Sequence, residues 1–343
     1  ADLPTIWEPT AKDKRRYTAG EIAERVRLSK IRVKHAQAAR TVGTPYPSQI
    51  LDLKICDPAM GSGAFLVEAC RQLGDELIKA WYAHDAVPTD IPPDEDEVLY
   101  ARRLIAQRCL YGVDKNVMAV DLAKLSLWLV TLAKDHAFTF LDHALRHGDS
   151  LVGLTREQII GFHWEVKKQK KFGEDLIQRR LDRATEARAK ILNAREDVPY
   201  RDQAARMASS DEALDLIRLV GDACVSGFFA GQKKKEREEH AERLFGVASS
   251  YLESLTAGRG KQVDFESRRV LGQAAARLRA GSHPIPAFHW EIEFPEVFAR
   301  ENGGFDAFVG NPPFLGGNKI SGSFGAEYLA WLSESHPNTD GNS

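Results

Sequence analysis

The sequence predicts an α/β fold: a parallel sheet with crossover helices, interrupted by a long helical insertion. Three observations carry this. Short apolar runs at 50–56, 109–113 and 305–309 read as strands, and the first two alternate with helix-spaced segments. A glycine turn at 57–63 joins the first run directly to a helix. Between 155 and 280 the strand signal disappears, and charged, alanine-rich helical stretches replace it. With 343 residues, 43% of them hydrophobic, the chain can fill about two buried cores. That excludes wholesale disorder.

The elements follow in order. Residues 1–43 are polar and helical, with a helix start near Thr18–Glu21, and 41–47 form a loop. The strand at 50–56 runs into Asp57-Pro58-Ala59-Met60-Gly61-Ser62-Gly63. Phe65, Leu66, Ala69, Leu73, Leu77, Ile78 and Trp81 then recur at helical spacing. Residues 84–97 are an acidic, proline-rich loop, followed by a helix carrying Leu99, Leu104 and Ile105. The second strand, 109–113, ends at Asp114, and 117–133 is a strongly apolar helix. A third strand is expected between Phe138 and Leu145, before a turn at 147–150. Helices are expected at 175–193 and 236–255, without a repeat period. The strand at 305–309 leads to Gly310-Asn311-Pro312-Pro313-Phe314, and one helical stretch, 326–333, is expected in the last 29 residues. The organisation expected is an N-terminal segment (1–43), a ligand-binding α/β part (44–154), an insertion (155–280) and a strand–turn segment (281–343).

Composition narrows the setting. No apolar run approaches the roughly 18 residues of a membrane span, and no signal-peptide pattern opens the chain, so no membrane association is expected. Cys56, Cys70, Cys109 and Cys224 form no C-x-x-C pair. This argues against a disulfide framework or zinc ribbon and for a reducing, cytoplasmic compartment. The net charge of -2 hides a segregation. Residues 1–43 hold 10 Lys+Arg against 5 Asp+Glu, residues 155–280 hold 25 against 20, and the rest hold 12 against 24. Basic flanks suit a polyanion, and ordinary solvated helix faces explain them equally well. Lys233, Lys234, Lys235 and Arg237 are the candidates for phosphate contact.

Two turns carry chemistry. At 57–63 the glycines let backbone approach a ligand, and the following helix N-terminus favours an anionic group. Leu66 stands where a dinucleotide fingerprint has its third glycine, which lowers a nicotinamide or flavin reading. Asp114, at the end of a strand, suits ribose hydroxyls or a helix cap. Asp149 suits an amino group or a turn. In Asn311-Pro312-Pro313-Phe314 the prolines stiffen the chain, Asn supplies a carbonyl acceptor, and an aromatic ring follows. That set can hold a planar aromatic amine. Glu165-Val166-Lys167 matches half of a metal-dependent nuclease site, but no Pro-Asp precedes it, and no metal site is predicted.

In chain order, DPAMGSGAFL, GVD, GDSL and GNPPF resemble the N6-adenine DNA methyltransferases of the gamma motif order. More narrowly, the chain resembles the large methylases of type IIG restriction–modification and related phage-defence systems. RRYTAGEI at 15–22 and HWEIEFPEVF at 289–298 add to the likeness, with Ala19 where the family usually has proline. The resemblance covers about 15–154 and 282–343. It implies a Rossmann-like S-adenosylmethionine-dependent methyltransferase sheet and double-stranded DNA as partner. It implies that Tyr17 and Thr18 close over the cofactor, while Asp57, Ala59, Met60, Gly61 and Gly63 wrap it. Asp114 then takes the ribose and Asp149 the adenine amino group. Asn311 and the Pro312 carbonyl accept from the target adenine N6, Pro313 stiffens the turn, and Phe314 stacks on the flipped base.

Such a sheet has seven strands, of which about four are legible here. The expectation is that further strands and a target-recognition domain, in this or another chain, complete it, and that 1–343 alone does not methylate DNA. A protein glutamine methyltransferase, which shares the N-P-P-aromatic turn, and a partner-dependent cofactor-binding subunit are the competing readings.

Overall fold

The computed structural model describes residues 5–38, 43–89, 91, 96–132, 139–170, 172–195, 198–257, 262–313 and 317–336. Four strands are present among them: β1 (Ile55–Asp57), β2 (Leu110–Asp114), β3 (Leu145–His147) and β4 (Ala307–Phe308). They hydrogen bond in the order β3-β2-β1-β4. β1 is parallel to β2, with Asp57 opposite Gly112, and parallel to β4, with Cys56 opposite Phe308. Between β2 and β3 the Gly112 N–H donates to Ala144 O at 3.0 Å and the Gly148 N–H to Asp114 O at 2.9 Å. Both strands therefore advance in the same sense. The protein is α/β with a small parallel sheet of the Rossmann-like methyltransferase kind.

The chain divides into two compact units. One comprises Ala1–Gly112, Met118–Leu145 and Phe305–Gly310. Its helices are α1 (Asp13–Arg16), α2 (Ala19–Ala38), α3 (Pro47–Leu51), α4 (Ala64–Ala83), α5 (Glu97–Arg108) and most of α6 (Val117–Thr131). Leu66, Leu77, Ile78 and Trp81 lie on the buried face of α4, as their spacing predicts, together with Cys70, whereas Phe65 is exposed. They meet Ile105, Leu110 and Leu127 in one core. The strand expected at 50–56 is shorter than its apolar pattern suggests. Pro47 occupies the first turn of α3, and the Tyr46 N–H donates to the Gln49 side chain at 2.8 Å, so the chain is helical through Leu51.

The second unit comprises Val113–Val117, Arg146–Gly304 and Asn311–Ser343. It contains α7 (Arg156–Ile160), α8 (Glu174–Leu192), α9 (Tyr200–Phe229), α10 (Lys234–Thr256), α11 (Phe265–Leu278), α12 (Trp290–Glu293), α13 (Pro295–Phe298), α14 (Gly317–Phe324) and α15 (Ala326–Ser335). α8, α10 and α11 pack on α9, whose residues 220–228 are all buried. A helix buried on every side is a core helix. The charged composition of 155–280 thus surrounds a hydrophobic interior of Ile177, Leu214, Ile217, Phe228 and Leu271. α14 is not foreseen in its glycine- and serine-rich sequence. Ile320 and Phe324, one turn apart, pack on that interior, and tertiary burial overrides weak propensity.

Arg237 does not belong with the phosphate candidates. It is buried, with its guanidinium 4.2 Å from the Phe228 ring centroid, and donates to Glu334 at 2.8 Å and Gly231 O at 3.1 Å. Lys234 pairs with Glu165 at 3.0 Å, whereas the Lys235 side chain is 88% exposed. The pairing with Lys234 and Lys168 also engages the Glu165 carboxylate of the E-x-K tripeptide. No described helix is long and apolar enough to cross a membrane.

All four cysteines are buried thiols. Burial pushes each of them up, Cys70 and Cys109 to about 12. Because the thiolate is the reactive form, a disulfide reagent at pH 8 is expected to modify none of the four in the native protein. All four should react in denaturant. Rapid native labelling of one or more thiols would contradict this packing.

Candidate active site

In the first unit the glycine turn follows β1. Asp57 is 1% exposed, and its Oδ1 accepts the Ala59 N–H at 3.1 Å. The Gly63 N–H donates to Met60 O at 2.8 Å, closing the turn, and Gly63 O accepts from Val67 to start α4. Gly61 and Gly63 have φ of 53° and 80°, in the left-handed region that glycine adopts without strain. A β-carbon on Gly63 would lie 3.0 Å from Ala123 Cβ, whereas one on Gly61 would meet nothing within 4 Å. The outer side of the turn is therefore open at Gly61. The Met60 side chain is 4% exposed and sits over Gly112, where a β-carbon would come within 2.3 Å of its sulfur. What Met60 offers outward is backbone.

The same unit brings the end of β4 to this turn. The Val309 N–H donates to Cys56 O at 2.9 Å. At Gly310 a β-carbon would stand 2.6 Å from Asp57 Oδ1. Only glycine lets the chain cross so close to that carboxylate before it continues to Asn311. The glycine turn and the chain that continues to Asn311, some 250 residues apart, thus follow neighbouring strands. Tyr17 and Thr18 are engaged locally. The Thr18 N–H and Oγ1 donate to Glu21 at 2.6 and 2.8 Å, capping α2, and the Arg25 guanidinium lies 4.3 Å from the Tyr17 ring centroid.

In the second unit Asp114 and Asp149 come together. Gly148 N–H donates to Asp114 O, and Lys115 Nζ lies 2.9 Å from Asp149 Oδ2. Asp114 Oδ1 accepts the Asn116 N–H at 2.8 Å, so the residue also shapes the turn into α6. Asp149 is 4% exposed, and its N–H donates to Pro286 O at 2.7 Å. Its carboxylate accepts the Tyr328 hydroxyl. Burial, with the Asp149 charge behind it, pushes the Tyr328 phenol up, so at neutral pH it is a donor. Asn311, Pro312 and Pro313 are exposed and lie outside any helix or strand. Phe314 lies outside the described residues.

HWEIEFPEVF has a structural job that its sequence does not announce. The Trp290 Nε1–H donates to Ser150 O at 3.0 Å, and His289 Nδ1 accepts from the Leu154 N–H at 3.0 Å. Glu293 receives Arg218 at 2.6 and 2.9 Å and Arg146 at 2.9 Å, while Asp211 takes Arg218 at 2.8 Å. Arg188, fully buried, donates to Ser210 at 3.0 Å. Burial alone would raise the Glu293 carboxyl. Arg146 and Arg218 outweigh it and hold the group well below the usual carboxylate range. The segment clamps the end of β3 and the Asp149 loop to α9. Tyr328, Trp331 and this clamp are what motif reading misses. Alternating acidic and aromatic residues at 289–298 are their only sequence signal.

Comparison with known proteins identifies the family. A family profile described as Eco57I restriction-modification methylase matches residues 108–340. A second, described as MmeI, DNA-methyltransferase domain, matches residues 34–160. A curated protein of Methanocaldococcus jannaschii, described as a putative type II restriction enzyme and methyltransferase RM.MjaORFECS2P, is 26% identical over 287 residues. That alignment covers 78% of this chain and spans 22% of the relative's length. No solved structure matches the chain. Because the first profile spans well over half of the 343 residues, the chain belongs to the Eco57I restriction-modification methylase family.

Proposed function

We propose that the chain carries the cofactor-binding and catalytic residues of a site-specific DNA adenine N6-methyltransferase of the restriction–modification type. The observation that supports this most is the crossing of Gly310 over Asp57. It sets the turn suited to a methyl donor beside the strand that leads into the turn suited to a planar amine. The residues fit S-adenosylmethionine. The turn is open at Gly61, and α4 begins without a side-chain cap, leaving backbone N–H groups for a carboxylate. Asp57, Ala59, Gly61 and Gly63, with the backbone of Met60, would hold the amino-acid end. Asp114 would hold the ribose and Asp149 the adenine amino group. Tyr17 and Thr18 would close over the cofactor from the α2 end. When bound, the cofactor supplies an activated sulfonium methyl group.

The chain's own part is acceptance and positioning. Adenine N6 is a poor nucleophile because its lone pair is delocalised into the ring. Asn311 Oδ1 and the Pro312 carbonyl would accept its two N–H bonds and favour a pyramidal nitrogen as positive charge develops there. Pro312 and Pro313 fix the acceptors in place. Phe314 would stack on the base, which must leave the duplex because N6 is otherwise paired. In-line placement supplies most of the remaining acceleration.

The test has two parts. Calorimetric titration of the chain with S-adenosylhomocysteine is expected to show binding that Asp114→Ala weakens by about tenfold, the loss of a hydrogen-bonded acceptor. Incubation with a tritiated methyl donor, DNA and protein substrates is expected to label adenine N6 in DNA. β4 is one of the two edge strands among the described residues, and Phe308 on it is 61% exposed. We therefore expect transfer only where a further segment or partner covers that edge, together with a domain that recognises the target. Label in glutamine side chains of protein, or no nucleotide binding, would overturn the proposal.

A further inference from the structure

The second unit contains an aromatic pair placed against Asp149 that none of the motifs includes. Phe324, at the end of α14, and Tyr328, on α15, stack with ring centroids 5.0 Å apart and an interplanar angle of 28°. The Lys115 ammonium lies 4.8 and 5.1 Å from the two centroids. The Tyr328 hydroxyl is 3.0 Å from Asp149 Oδ1 and 3.1 Å from Oδ2, so it sits across the mouth of the carboxylate. Leu151 N–H takes Oδ1 at 3.2 Å, and Lys115 takes Oδ2 at 2.9 Å. A carboxylate has about four lone-pair sites. Three donors already address this one, and its side chain is 4% exposed. A further donor reaches Asp149 by displacing one of these three, and the Tyr328 hydroxyl is the one that addresses both oxygens. The pair offers Asp149 what an adenine ring would offer: a flat π-face bearing one hydrogen-bond donor. Trp331, on the same helix, donates separately to Leu151 O at 3.0 Å, so α15 stays anchored when the Tyr328 side chain leaves.

We propose that the Tyr328 hydroxyl competes with the amino group of the nucleotide for Asp149, so that Tyr328, backed by Phe324, is a positioning residue that sets cofactor affinity. The inference rests on the reading of Asp149 as the adenine acceptor. Binding then exchanges one hydrogen bond to the carboxylate for another, and the cost of releasing Tyr328 is subtracted from the affinity.

Tyr328→Phe keeps the ring and its stacking and removes only the competing donor. By calorimetry, S-adenosylhomocysteine is expected to bind this variant about 3- to 10-fold more tightly, the range for the net worth of one ordinary hydrogen bond, because binding exchanges one donor for another. The melting temperature without nucleotide should fall at the same time. A role in folding alone would lower the melting temperature and leave affinity unchanged or weaker, and that result overturns the proposal. Asp149→Asn separates the two levels. If it binds like the parent, the site reading fails and this proposal with it. If it binds more than tenfold more weakly while Tyr328→Phe shows no gain, only the competition fails. Should Tyr328→Phe not fold, Phe324→Leu removes the stacking partner, and affinity must rise in that variant for the proposal to stand.

Discussion

Glu293→Gln is expected to destabilise the protein by about 2–4 kcal/mol, because it leaves two largely buried guanidinium groups without their shared carboxylate. Arg146 and Arg218 are 20% and 18% exposed, and Glu293 is 10% exposed. Asp211 remains beside both arginines, at 3.4 and 2.8 Å, and keeps the cost below that of a fully orphaned pair. In thermal unfolding this is a fall on the order of 10 °C. Glu186→Gln, in an exposed pair with Lys190, is expected to leave the melting temperature unchanged. The effect has a defined pH dependence. The folded carboxyl of Glu293 lies below its ordinary value of 4.5, so its contribution is complete above that value and is lost as pH falls toward the depressed folded one. Stability curves of parent and variant should therefore converge in strong acid and stay apart at neutral pH. Parallel curves at all pH values would show that the Glu293 charge is not what holds the clamp.

Asn311→Ala is expected to lower methyl transfer by about 100- to 1,000-fold, the range for removing one preorganised group aimed at developing charge. The measurement belongs in any polypeptide containing this chain that methylates DNA. Cofactor affinity is expected to stay within about twofold, because the side chain acts on the acceptor base and not on the donor. A loss confined to KM, with kcat unchanged, would make Asn311 a binding residue and remove it from the proposed catalysis.

The parallel sheet, α4, α6 and the glycine turn are legible because their signals are local. Leu66, Leu77 and Trp81 repeat with the helical period, and Gly61 and Gly63 stand where the backbone turns left-handed. What is not legible depends on partners distant in sequence. Nothing near Gly310 says that it passes over Asp57, and nothing near Tyr328 says that its hydroxyl meets Asp149, 179 residues away. Arg237 reads as a solvated charge in a basic run, yet it is buried against Phe228 and Glu334. Pattern reading assigns charge to surface, and the large helical unit has enough interior to bury some of it in pairs. The brevity of β1 and β4 has the same origin. Apolar runs mark where a strand can form, and Pro47 and the tertiary frame decide how much of each run does.

The pairing of β1 with β4 also has a consequence in time. Lys54 N–H reaches the Asp306 carboxylate at 2.7 Å across 252 positions. At roughly 5–20 residues per second, a ribosome needs about ten to fifty seconds to synthesise that stretch. Once β2 has been made, β1 has a neighbour available on that side and none on the other until β4 follows. The nascent chain therefore presents an open strand edge while residues 146–304 of the second unit are being translated. Helices α8 to α11 of that unit can pack on one another before the edge is closed, and α14 and α15 join their interior afterwards. The order of synthesis then places the pairing of β4 with β1 at the step that also delivers Asn311.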